Sequence, residues 1–231
     1  MQCADYIFII TSTINTPLGL ISNDTRFSQT LETIISIKSH VKNSIILLID
    51  NSTQPLNQLQ EKIISDNVDH FLYVGDRKQV IDINRNGIKG AGESYMLLTA
   101  FDFIKTNAIT GDRVFKISGR YKLSDNFDIA IYDQDYIRNK YVFKIRDYHN
   151  NDGIYKPVND DWFLHTRMWS FSYSLLDDTI TMIRKSWHQL MTDNITIEQS
   201  IYRNINLDNL VELDIIGSEG FIAPWNTLIK D

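Results

Sequence analysis

The sequence predicts an α/β domain built on a mainly parallel central sheet with helices on both faces. Short β-branched and aromatic runs at residues 6–10, 45–49, 71–74 and 114–117 alternate with stretches of helical periodicity. The two longest, 6–10 and 45–49, are five apolar residues each, and the second suits a strand covered on both faces. At 231 residues, 43% of them hydrophobic, the chain is long enough for one well-filled core and too short for two large ones. One domain over residues 1–231 is expected.

The first strand ends in the polar Thr11, Ser12 and Thr13. After a loop with Pro17, Gly19 and Asn23, the residues Phe27, Leu31, Ile34, Ile35 and Ile37 recur near helical spacing, behind Asp24 or Thr25 as cap. The second strand, 45–49, ends in Asp50, Asn51 and Ser52. Pro55 opens a helical segment with Leu56, Leu59 and Ile63 on one side, and the third strand, 71–74, leads to Gly75 and Asp76. A polar, glycine-bearing stretch over 84–92 precedes a helix over 93–106 that carries Leu97, Phe101 and Ile104 on one stripe. Gly111 and Asp112 turn the chain into the fourth strand, 114–117.

Beyond residue 122 the pattern is mixed. Residues 141–145 and 162–171 read as strands, and alternation along the second buries about half of Trp162, Phe163, Trp169, Phe171 and Tyr173. Ile180, Ile183 and Trp187 mark one helix and Ile197, Ile201 and Ile205 another. Residues 211–216 read as a last extended piece, and Gly217-Ser218-Glu219-Gly220 as a turn.

Composition excludes several functions. With 29 acidic and 23 basic side chains the net charge is -6, which argues against nucleic acid as a partner. The single cysteine, Cys3, rules out an intrachain disulfide framework and a cysteine metal cluster, and fits a reducing, cytoplasmic setting. The longest apolar runs are five residues, far from the roughly 18 of a transmembrane segment. Membrane contact is therefore restricted to a peripheral kind.

Ligands of open parallel sheets sit outside the carboxyl ends of the strands. Four such ends are polar here: Thr11 to Thr13, Asp50 to Ser52, Gly75 to Arg77 and Ser118 to Tyr121. The phrase Phe115-Lys116-Ile117-Ser118-Gly119-Arg120-Tyr121-Lys122 is the most informative, because three cations and a glycine crowd the end of an inner strand. Glycine admits close backbone approach and arginine binds phosphate oxygens through paired donors, so a diphosphate is a natural occupant of Ser118, Gly119 and Arg120. Lys89-Gly90-Ala91-Gly92-Glu93 precedes a helix, where backbone donors can hold an anion. It lacks the Gly-Lys-Ser/Thr ending of a phosphate loop.

The order of elements, the stretch from Arg26 to Ile34 followed by 45–52, the Lys-Gly-x-Gly-Glu segment and the Lys-Ile-Ser-Gly-Arg-Tyr-Lys-Leu phrase together resemble glycosyltransferases of the GT-A fold, a Rossmann-like architecture. The resemblance covers most of residues 5–225 in layout. It implies a nucleotide-sugar donor held by residues 1–122 and a glycan or other hydroxyl acceptor held by 123–231, in the service of polysaccharide assembly. On that analogy Thr11, Thr13, Asp50, Asn51 and Ser52 line the nucleoside pocket, and Arg26 reaches the base or a phosphate.

One departure matters. Most GT-A enzymes end the fourth strand in Asp-x-Asp, which binds a divalent cation on the diphosphate, whereas this strand ends in Ser118-Gly119-Arg120. The expectation is a site without metal, in which Arg120 and Lys122, with Lys116, supply fixed positive charge. Magnesium or manganese held by Asp133 and Asp135 is the alternative. An inverting transfer also needs a base for the incoming hydroxyl. Candidates are Asp160 and Asp161 beside Trp162, His165, and Glu198, whose place at the opening of a late helix matches that of the acidic base in similar enzymes. Two other readings stay open: a sugar nucleotidyltransferase, whose glycine-rich basic loop is missing from 11–17, and a non-catalytic nucleotide- or carbohydrate-binding module.

Overall fold

In the computed structural model residues 2–17, 20–148, 162–193, 195–222 and 227–231 are described. Strand β1 (Tyr6–Ser12) is buried along nearly its whole length and pairs in parallel with β2 (Ser44–Asp50), which pairs in parallel with the short β3 (His70–Tyr73). Helix α1 (Asn23–His40) connects β1 to β2. Its cap is Ser22, whose hydroxyl accepts from the Thr25 amide at 3.2 Å, so the helix opens ahead of the two residues expected to cap it.

Helix α2 (Gln58–Ser65) is opened by Asn57 in a reciprocal capping box with Gln60, not by Pro55. Leu59, expected on its inner side, is exposed, and Ile64 is the residue it buries. Two helices then stand where the sequence suggested one and a loop: α3 (Lys78–Arg85) and α4 (Lys89–Thr106). The glycines at 90 and 92 thus lie inside the first turn of α4 rather than ahead of it.

Strand β4 (Arg113–Ser118) lies parallel to β1 on the side opposite β2. Across the next turn comes β5 (Tyr121–Leu123), and later β6 (Tyr141–Lys144) and β7 (Met168–Ser172). The strand expected over 162–171 is in fact two pieces. Trp162–Phe163 pairs antiparallel with Asp147–Tyr148, and the polar His165, Thr166 and Arg167 separate it from β7. Helices α5 (Leu176–Thr192) and α6 (Ile197–Asn204) follow, then β8 (Leu210–Leu213). The segment expected as a terminal turn belongs to strand β9 (Ser218–Ile222), which forms a hairpin with β10 (Thr227–Lys230). Gly217 alone does the turning, at φ +80°.

The main sheet runs β8-β6-β7-β4-β1-β2-β3, with β7 antiparallel to both neighbours and every other pairing parallel. Strands from both halves of the chain therefore share one sheet. Its two faces bury separate clusters: Ile7, Ile9, Leu47, Val114, Phe143 and Trp169 face α3 to α6, while Phe8, Ile10, Leu48, Phe115 and Ile117 face α1, α2 and β5. A second sheet, β10-β9-β5, grows from the end of β4.

Candidate functional site

The parallel strands all present their carboxyl ends on one edge, and the reversed β7 brings its start there too. Thr11 to Thr13, Asp50 to Ser52, Ser118 to Arg120 and the loop His165 to Arg167 therefore gather at one place.

At the β1–β2 end, polar side chains hold the loop after β1. Asp50 is fully buried; its carboxylate accepts from the Ile14 amide at 3.0 Å and the Ser52 amide at 2.9 Å. Burial pushes its pKa up, and those donors pull against the shift. Ser52 Oγ accepts from the Asn15 amide at 2.7 Å, and Thr13 Oγ1 donates to Asn51 Oδ1. Asp50 and Ser52 thus shape this end from behind, and the half-buried Thr13 stands nearer its surface.

The β4 end is drawn against α1. Gly119 donates from its amide to the Thr11 carbonyl at 2.8 Å and accepts at its carbonyl from Thr30 Oγ1 at 3.2 Å. A side chain at Gly119 would meet Thr30 Oγ1 at 3.1 Å and Ser12 Oγ at 3.2 Å, so glycine permits the close approach. Arg120 follows, on the same edge as Arg26 of α1. Arg26 donates to the Thr13 carbonyl at 3.2 Å and the Ile21 carbonyl at 3.3 Å. Burial, and then the charge of Arg120, hold the Arg26 guanidinium below its ordinary range. Among the described residues no carboxylate pairs with Arg120.

Lys116, expected on the diphosphate, is instead enclosed. Its side chain is 0% exposed, ion-pairs with Glu93, and donates to Ser118 Oγ at 2.8 Å and the Thr166 carbonyl at 2.5 Å. Lys122 also has a partner, Glu219 at 3.5 Å across the second sheet. Of the three cations in that phrase, Arg120 is the one with no ion pair among the described residues.

An open groove of about 700 Å³ lies beside this end, between the α3–α4 junction and the α5–α6 junction. Lys89, Glu93 and Glu198 line it, with an apolar strip of Ile88, Leu190 and Ile197. Glu198 sits in the first turn of α6 and accepts from Thr166 Oγ1 at 3.0 Å. His165 lies close by, its Nδ1 3.0 Å from Arg167 Nη1; burial and the Arg167 charge lower its pKa, so the neutral ring is favoured. Asp160 and Asp161 lie outside the described residues.

Sequence reasoning missed Thr166, Arg167 and Lys144. Arg167 and Lys144 flank the buried Asp231 carboxylate at 3.2 and 2.9 Å, and Arg167 lies over the Tyr121 ring. The signal was present: three consecutive polar residues, 165–167, interrupt the apolar run read as a single strand.

The donor set does not fit a divalent cation. Where two carboxylates would be required, β4 ends in a hydroxyl already accepting from Lys116, a glycine and a guanidinium. Asp133 is at the opposite edge of the sheet, accepting from Tyr6 Oη at 2.6 Å at the start of β1, and Asp135 is exposed and paired with Arg138. That places the Asp133 and Asp135 alternative far from the strand ends. Among the described residues no three acidic, histidine or cysteine side chains converge.

No protein-family profile and no curated protein matches the chain. Solved structures do. The apo structure of WbbM, a bifunctional glycosyltransferase, is similar over 91% of this chain and 39% of that one, at 13% identity and a TM-score of 0.56. Core-mannan synthase A from Aspergillus fumigatus, in its Mn/GDP form, is similar over 91% of this chain and 73% of that one, at 9% identity and 0.52. A glycosyltransferase involved in glycosylation of the major capsid of PBCV-1 is similar over 90% of this chain and 81% of that one, at 8% identity and 0.45. On the first two of these the fold is GT-A-like, as the layout of the sequence led us to expect. No helix among the described residues is long and apolar enough to cross a membrane.

Proposed function

We propose that this chain is a glycosyltransferase that moves a sugar from a nucleotide-diphosphate donor to a hydroxyl of a glycan or similar acceptor, with guanidinium groups where related folds use a metal ion. The observation that carries the reading is Arg120: a cation at the carboxyl end of an inner strand, near enough to Arg26 to disfavour its charge, with no carboxylate partner among the described residues. An anion between the two arginines relieves that repulsion and satisfies both forks. The fold supplies the context, since this edge is where such sheets hold nucleotides.

In the reaction the acceptor oxygen forms a bond to the anomeric carbon as the bond from that carbon to the diphosphate oxygen breaks. The electron pair leaves on the diphosphate, where Arg120 and Arg26 stabilise the growing negative charge. The acceptor proton passes to Glu198, whose carboxylate lines the groove. Thr13 and Asn51 border the nucleoside, Thr11 and Gly119 bring backbone close to it, and Lys89 adds positive charge at the rim. The donor half, 1–122, and the acceptor half, 123–231, meet at the groove, with Glu93 from one and Glu198 from the other. We place the protein in the cytoplasm, where its exposed Cys3 stays reduced.

The test is calorimetric titration with a panel of nucleoside diphosphates, with magnesium or manganese and with a chelator, alongside release of nucleoside diphosphate from the matching nucleotide sugars. Chelator-insensitive binding that Arg120→Ala weakens about 10- to 100-fold, with turnover, supports the proposal. Binding without turnover points to a binding module, and no binding to any diphosphate ends the nucleotide-sugar reading.

A further inference from the structure

We infer that Lys116, acting through Thr166, is a positioning residue for Glu198. The inference rests on the reading of Glu198 as the acceptor-side base and adds what holds that base in place. Three observations lead to it.

The first is that the Lys116 ammonium is held from three sides. It donates to Ser118 Oγ and to the Thr166 carbonyl and is ion-paired with Glu93. A lysine placed opposite Trp169, on an inner strand and with no exposure, is costly unless it is paired and hydrogen-bonded. It is therefore fixed in direction as well as in charge. The second is the role of Thr166. The residue is 4% exposed, its carbonyl is held by Lys116, and its hydroxyl donates to Glu198 Oε1. The Leu164 amide donates to the Glu198 carbonyl at 3.3 Å, so the loop is tied to α6 at two points. The third is that Glu93 and Glu198 line the same groove. A buried cation thus stands between two carboxylates and reaches the second only through Thr166.

The consequence is directional. With Oε1 held by Thr166, Oε2 of Glu198 has no hydrogen-bond partner among the described residues and is the oxygen left for an acceptor hydroxyl. If Lys116 is removed, the loop keeps its backbone tie from the Ser118 amide to the Arg167 carbonyl but loses the bond that holds Thr166 itself, and Glu198 loses its orientation. A misplacement of about 1 Å at a base costs on the order of 100-fold in rate.

The experiment uses the whole chain and measures nucleoside diphosphate affinity by calorimetry, and kcat and KM by nucleoside diphosphate release from UDP-, GDP- and dTDP-sugars, with water and simple sugars as acceptors. Thr166→Val keeps the carbonyl that Lys116 needs and deletes the hydroxyl that Glu198 needs. It should lower kcat about 10- to 100-fold, leave diphosphate affinity within about twofold, and be rescued by Thr166→Ser. Lys116→Met should give the same split. If either variant turns over like wild type, or if Thr166→Ser fails to rescue, the positioning role is overturned while the glycosyltransferase reading stands. If the wild type binds donor and turns nothing over, the base reading falls and this inference with it.

Discussion

Changing Glu93 to glutamine tests the buried charge directly. Lys116 has no exposure, whereas the Glu93 side chain keeps 23% of its surface at the groove. Breaking a buried pair by neutralising one partner costs about 3–5 kcal/mol, because the other charge is stranded. In Glu93→Gln the stranded charge is the lysine, which cannot reach water and keeps only neutral acceptors, so we expect about 3 kcal/mol. At a urea slope of about 2–3 kcal/mol per molar, the midpoint falls by about 1 M or more. In Lys116→Met the stranded charge is Glu93, which can turn toward groove water, so the loss should be smaller. In the double variant neither charge remains, and much of the loss should be recovered. Urea unfolding of the four proteins, followed by circular dichroism, gives the complete cycle. A loss below 1 kcal/mol for Glu93→Gln, a greater loss for Lys116→Met, or a double variant at least as unstable as the two singles summed would each refute the reasoning.

Other consequences follow from the same geometry. Arg120→Ala should weaken diphosphate binding by about 10- to 100-fold, the worth of a hydrogen bond to a charged group, and Arg120→Lys should fall between, since an ammonium lacks the fork; calorimetry decides both. Gly75→Ala should abolish the soluble fold, because its Cβ would stand 1.8 Å from the Ser52 carbonyl oxygen, a backbone atom that cannot move aside; expression and a thermal melt report this. The pKa of His165 lies below its unfolded value, so the unfolded chain takes up the proton first and stability falls as pH drops below about 6.5. Urea midpoints at pH 7.5 and 5.5 should differ more in wild type than in His165→Gln, and equal differences would refute the assignment.

The inner strands were legible because burial on both faces leaves an unbroken apolar run, as in β1 and β2. Helix α3 was not: only Val80 and Ile83 are buried, Ile81 points outward, and Arg77 makes no side-chain cap, so neither periodicity nor punctuation marks it. The hairpin after Gly217 was misread for a related reason. Ser218 to Gly220 have little side-chain signal, and what makes them a strand is pairing with 121–123 from the other half of the chain. At the site, the polar strand ends were readable as positions and not as roles. Lys116 and Arg120 look alike in sequence, four residues apart. Which of them is enclosed and paired depends on Glu93 and Thr166, contributed by α4 and by the loop before β7.

The second sheet bears on how the protein is made. Strand β5 begins at the residue after Arg120, and its pairing partner is β9, about a hundred positions later in the chain, itself braced by β10. During synthesis β1 to β4 can assemble before β9 and β10 have been made, yet the outer edge of β5 stays unpaired until that hairpin has emerged. Nascent chains halted before residue 217 should therefore carry β5 held by α1 alone, through Thr33 and Ser36, with its other edge still open.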